Sequence, residues 1–316
     1  MTKSLPRLRF VALCGLSLIL WWHPLRSTLG LALQQDEFTH ILLILPISAA
    51  LIYLEWKSRK ARPEPNFRIG SVLLFLAILI GLIGDWGRRA ASPAPDVQLS
   101  LSMFALVIWW VGAFVFCFGD RISRMCLFPL CFLLWLIPLP RFALGTIVSL
   151  LQQGSAWAAH VLFAAVGVPV AQDGVLLSIP GLTVQVAQEC SSVRSSSILL
   201  VTTMVLAQLL LRSPWRKALV VGVAVPLSVA KNGLRIFTIA MLGTRVDPGF
   251  LTGRLHRDGG IVFFAVSLAV VFALLWISWQ AERKVAAQPN DSSSPLVAPG
   301  PKIQRFPMTI QTRISR

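Results

Sequence analysis

Charge is what this 316-residue chain has least of, at 13% of its residues, about half the share of a soluble globular domain. That excludes a large water-soluble enzyme. Acidic residues are scarcer still, 13 Asp and Glu against 29 Lys and Arg, and no paired carboxylate stands out for proton-coupled transport. The five cysteines include no Cys-X-X-Cys and no close pair, which argues against a disulfide framework and a zinc site. Nothing else in the sequence asks for a metal or a cofactor. A basic stripe on a soluble nucleic-acid-binding motif is also missing, so the net charge of +16 does not point to a nucleic-acid partner. The 11 Trp, 18 Phe and long aliphatic runs exclude a disordered chain. No internal repeat is present.

What is abundant is apolar sequence, 55% of the chain. The fold class this predicts is an all-α polytopic membrane protein of about eight transmembrane helices. It forms one membrane domain over 1–280, followed by a tail over 281–316 that bears Pro and Ser without periodicity and reads as disordered. The first span runs over 10–33 and stays uncleaved, since no small-residue cleavage site follows it. Further spans fall at 41–54, 69–84, 101–118, 125–139, 191–211, 218–242 and 260–279. Several are shorter than the ~20 residues a crossing helix wants.

Eight crossings place both termini on one side. If that side is the cytoplasm of a cell membrane, roughly two thirds of the Lys and Arg lie there, as the positive-inside rule requires. The count needs 142–189 to return to the outer side. Its first part is helical in pattern yet carries Gln152, Gln153, Ser155 and His160, which suits an amphipathic interfacial helix. A ninth crossing within 142–168 is the rival. In the second part Val170, Val175, Leu177, Ile179, Val184 and Val186 partly alternate, interrupted by Asp173-Gly174 and Pro180-Gly181. That pattern predicts two short strands with turns, held outside the lipid because open sheet edges are not tolerated in hydrocarbon.

Ionisable groups inside spans are costly and are functional candidates by default. Arg235 lies ~26 Å along its span and Cys190 ~32 Å from the far end of the preceding one, so both sit near the outer boundary of a ~30 Å core. His256 immediately precedes the last span on the same side. The three types form a workable set for acyl transfer. A thiolate is a nucleophile favoured at a helix start and beside cations, here with Arg194 one turn on. His256 can carry the proton to a leaving amine, and Arg235 can stabilise an oxyanion. Each has a plainer reading: Cys190 as apolar filler, as for Cys14, Cys117, Cys126 and Cys131, Arg235 as a snorkelling side chain, and His256 as a solvated loop residue.

Glu-Cys-Ser-Ser-Val-Arg (189–194), Asn-Gly-Leu-Arg (232–235) and His-Arg-Asp-Gly-Gly (256–260) resemble, in order and spacing, the signatures of the exosortase/archaeosortase family of membrane cysteine transpeptidases. The likeness spans residues 36–279. It departs at Ser192, where the family has Gly, which bears on subfamily and substrate more than on the reaction. The resemblance implies Cys190 as nucleophile, Arg235 and His256 as its catalytic partners, and Arg194, Asn232 and Glu189 in support, with no cofactor. It implies exported protein substrates with a C-terminal sorting signal, made of a short motif such as Pro-Glu-Pro, a transmembrane helix and a basic tail, cut at the outer face. The chain's own Pro63-Glu64-Pro65 lies in an inner loop and reads as chance. A transporter broken at Pro226 and Asn232-Gly233 and a non-catalytic scaffold for envelope-polymer export are the other classes, and neither needs Cys190.

Overall fold

The computed structural model describes residues 5–58, 63–89, 94–186, 193–251 and 260–287. Six of its helices are long and apolar enough to cross a bilayer. They are α3 (Ile41–Ser58), α4 (Phe67–Arg89), α5 (Pro95–Met125), α8 (Val193–Leu210), α9 (Pro214–Arg245) and α10 (Gly260–Ala287). Each grows from one of the apolar runs. The count becomes eight when two sharply bent helix pairs are each taken as one span. The chain is an all-α multi-pass membrane protein.

The first bent pair replaces the single span over 10–33. Helices α1 (Leu5–Leu20) and α2 (Trp22–Gln34) meet at 77°. Pro24 sits in the first turn of α2, where its missing N–H costs nothing, but it cannot bond back to Leu20, so a continuous helix breaks there. In the second pair, the short α6 (Leu127–Phe132) and a 3-10 turn, Leu133–Leu136, meet α7 (Arg141–Ala165) at 97°. Pro138 and Pro140 force the residues before them into extended backbone, and Ile137 has ψ 117°. The span over 125–139 is therefore only partly helical, and residues 142–168 turn away from its axis. Helix α10 also continues past Ala281 to Ala287, because Glu282 accepts hydrogen bonds from the backbone N–H groups of Arg212 and Ser213, both at 2.9 Å. Residues 288–316 lie outside the described residues.

At one end of the bundle Arg7 lies over the Trp56 ring and Arg9 over Phe67. There the segment 63–66 docks on α5. Glu64 N–H donates to the Phe118 carbonyl at 3.3 Å, and the Asn66 amide donates to both carboxylate oxygens of Asp120 at 3.1 Å. Gly119 bends α5 with φ 81°, and a Cβ there would fall 1.7 Å from the Glu64 carbonyl oxygen. Only glycine fits. Pro63-Glu64-Pro65 thus has a structural place of its own.

At the opposite end stands a three-stranded antiparallel meander of β1 (Ala171–Asp173), β2 (Leu176–Ile179) and β3 (Leu182–Gln185). The sequence suggests two strands; the third is a three-residue edge too short to show alternation. Both turns fall where expected, at Gly174 with φ 57° and Gly181 with φ 83°. Leu177 and Ile179, two apart on one face of β2, bury against Ala156 and Phe163 of α7 and Ile236 and Ala240 of α9.

Candidate active site

Helices α8 and α10 both run antiparallel to α9. At the far end Lys217 donates to Gln208 at 2.8 Å, and Arg216 donates to the Ser278 carbonyl at 3.0 Å. About four turns along α9, Lys231 Nζ donates to Ser195 Oγ near the start of α8. A Cβ on Gly260, the first residue of α10, would lie 3.9 Å from Arg235 Nη1. The starts of α8 and α10 therefore face the stretch Lys231–Arg235 of α9. The helices bring the α8 start, the α10 start and Lys231–Arg235 to one end of the bundle.

The segment Asn232-Gly233-Leu234-Arg235 has a local reason at each polar or small position. Asn232 is 1% exposed and donates from Nδ2 to Ser155 Oγ of α7 at 2.9 Å. Its Oδ1 is buried with no hydrogen-bond partner among the described residues. A Cβ on Gly233 would stand 2.5 Å from the Ala158 Cβ and 3.0 Å from the Ala159 nitrogen, so the glycine lets α7 and α9 touch along their backbones. Phe163 and Phe237 continue the contact with ring centres 5.0 Å apart. Arg235, half-buried, is then carried to the start of α10. Helix α9 does not end near Arg235 but runs on to Arg245, ~15 Å farther, and that extension supports the sheet.

Arg194, the second residue of α8, donates from Nη1 to Asp36 Oδ1 at 2.7 Å, with side chains 53% and 74% exposed. It joins α8 to the 3-10 turn Asp36–Phe38 before α3, and its charge is shared with a carboxylate. On the sheet side, Val186 N–H donates to the Val175 carbonyl at 2.9 Å and Gln152 donates to the Val186 carbonyl at 3.0 Å. Both flanks of 187–192 are thereby tied down. Glu189, Cys190 and His256 lie outside the described residues, and α8 is described from Val193, three residues after Cys190. Among the described residues no three His, Cys, Asp or Glu side chains gather to hold a metal ion.

The family model for transmembrane exosortases (Exosortase_EpsH) matches residues 21–273. The chain belongs to the transmembrane exosortase family. No curated protein and no solved structure matches it. The match includes all three sequence signatures and the sheet before Cys190; it starts upstream of Asp36 and ends before Trp279.

Around the site of this exosortase, the packing of three residues is not visible in the sequence. Ser155 and Gln152 look like the wet face of an interfacial helix, yet Ser155 is 1% exposed and both serve as hydrogen-bond partners within the fold. Lys231, 6% exposed, is visible in sequence as an intramembrane charge, but nothing there points to Ser195 as its partner. Amphipathic pattern tells which helix face is polar; it does not tell whether water or another helix meets it.

Proposed function

We propose that this exosortase is a cysteine transpeptidase of exported proteins, with Cys190, Arg235 and His256 as its catalytic residues at the outer face of the cell membrane. The observation that carries the reading is the convergence of the α8 start, Lys231–Arg235 and the α10 start on one end of the bundle. Chain connectivity supports it further. Cys190 is three residues from Val193 and His256 four from Gly260, so their Cα atoms lie within ~11 and ~14 Å of those placed positions.

The reaction follows from these roles. The Cys190 thiolate attacks the carbonyl of the scissile peptide bond, and the Arg235 guanidinium stabilises the oxyanion. His256 delivers a proton to the departing amine as the C–N bond breaks, leaving a thioester on Cys190. An acceptor, water or an amine, then attacks that carbonyl and gives its proton to His256. The C–S bond breaks and the thiolate returns. Asn232 fixes α9 against α7 and so positions Arg235, Arg194 favours the thiolate, and Glu189 orients His256. No cofactor takes part. The substrates are proteins ending in a Pro-Glu-Pro-like motif, a spanning helix and a basic tail, and the membrane domain 1–280 carries the whole activity.

The test is processing of a reporter bearing such a signal. Cys190→Ser is expected to abolish it, because an alkoxide is far harder to form than a thiolate near neutral pH. Arg235→Lys is expected to be severely impaired, since an ammonium lacks the planar donor set. Processing by Cys190→Ser at the wild-type rate would remove Cys190 as the nucleophile, and no processing by the wild type would favour the transporter or scaffold reading.

A further inference from the structure

Away from the candidate site, a cavity of about 1320 Å³ opens between α1, α2 and α3. Its floor is aromatic, formed by Trp110, Phe114 and Phe118 of α5. Its depth follows from the helices that line it. The floor rises ~12 Å from Phe118 to Trp110, and the α3 wall ~18 Å from Lys57 to Leu45. One leaflet of a ~30 Å hydrocarbon core is ~15 Å deep, so the groove matches a single leaflet. It ends where Trp21 packs on Trp109 with ring centres 5.6 Å apart, at the 77° bend that swings α2 across it.

The charges select the occupant. Arg7 and Lys57, both exposed, stand at the mouth beside Tyr53 and Trp56, the aromatic types that mark the headgroup level. The Arg7 guanidinium lies 5.7 Å from the Trp56 ring centre, which aligns it with the mouth. Arg26 lines the α2 wall, and among the described residues no carboxylate lines the cavity. A spanning helix fits poorly. It needs the whole ~30 Å core, well beyond the ~18 Å of the α3 wall, and a basic tail at the mouth would be repelled.

We infer that this groove binds an anionic phospholipid, with its acyl chains against Phe114 and Phe118 and its headgroup between Arg7 and Lys57. The site lies on helices that the proposed acyl transfer does not use, so it stands or falls separately from that chemistry.

The test uses the full chain in nanodiscs of phosphatidylcholine with a minor share of phosphatidylglycerol, transferred to mild detergent, with retained lipid counted by mass spectrometry. Wild type is expected to keep one phosphatidylglycerol per chain and to lose phosphatidylcholine. Arg7→Gln with Lys57→Gln should weaken retention about 30-fold, the effect of removing two cations from the headgroup level. Gly30→Phe keeps the charges and fills the groove; a Cβ at Gly30 meets nothing within 4 Å, so the fold should tolerate it and unfold at the wild-type temperature while the lipid is lost. Equal retention of phosphatidylcholine by wild type would overturn the assignment. So would phosphatidylglycerol retained by both variants, or a wild-type dimer that Gly30→Phe dissociates, which would make a second copy the occupant.

Discussion

Lys231 of α9 donates a hydrogen bond from its Nζ to the Oγ of Ser195 on α8, joining two helices that cross the bilayer. An intramembrane ammonium is costly, and the cost falls differently on the two partners. Removing the charge with Lys231→Met is expected to leave thermal stability equal or higher, since apolar replacement of a buried charge is often neutral or favourable. Ser195→Ala keeps the charge and removes an acceptor, with an expected loss of ~1–3 kcal/mol. Thermal unfolding of the two variants in the same detergent compares them directly.

Gly233→Ala is expected to cost ~1–3 kcal/mol by overpacking, because its Cβ would meet Ala158 at 2.5 Å. Gly222→Ala on the same helix is the control. A Cβ there meets nothing within 4 Å, and the better helix propensity of Ala should make this change neutral to stabilising by up to ~1 kcal/mol. Processing should fall in the first variant and hold in the second.

Gly119→Ala is expected to destabilise by at least ~1–3 kcal/mol, the strain of a side chain in a backbone region reserved for glycine, together with the collision at Glu64. Replacing Pro63-Glu64-Pro65 by three alanines should lower the unfolding temperature without creating or removing a cleavage site. Cleavage of the wild-type chain at that tripeptide would contradict its structural role.

Asp36 shares the charge of Arg194. The pair is exposed, so Asp36→Asn should change stability by less than ~1 kcal/mol. On the proposed roles, its effect on Cys190 has a definite sign. With the carboxylate neutralised, Arg194 acts more fully on the thiolate, so the Cys190 alkylation profile should move to lower pH. Arg194→Ala should move it to higher pH. Rates of labelling by a membrane-impermeant thiol reagent across pH read both shifts.

The long apolar runs made the six long crossing helices legible in the sequence, because a bilayer leaves a spanning backbone few alternatives. The bends were harder. Pro24 and the Pro138–Pro140 pair stand in plain view, but proline permits a first helical turn as well as a break, and neighbouring helices decide between them. Around the site, the levels of the helix ends were legible: Arg235 comes to Gly260, and Ser195 is level with Lys231, while Cys190 and His256 lie outside the described residues. The α7 partners were not, since Ser155 and Gln152 carry the same polar signal whether they face water or Asn232 and Val186. Arg194 reads in sequence as a cation free to act on Cys190. Its tie to Asp36, remote in the chain, emerges only when α3 and α8 are brought together.

Acyl transfer through Cys190 is tested directly by mass spectrometry of the C-termini of exported proteins. Cells carrying wild-type enzyme are compared with cells carrying an equal amount of Cys190→Ala. New C-termini at the sorting motif, with any acceptor attached, are expected in the wild type, and intact sorting signals in the variant. Identical C-termini in the two samples would contradict it.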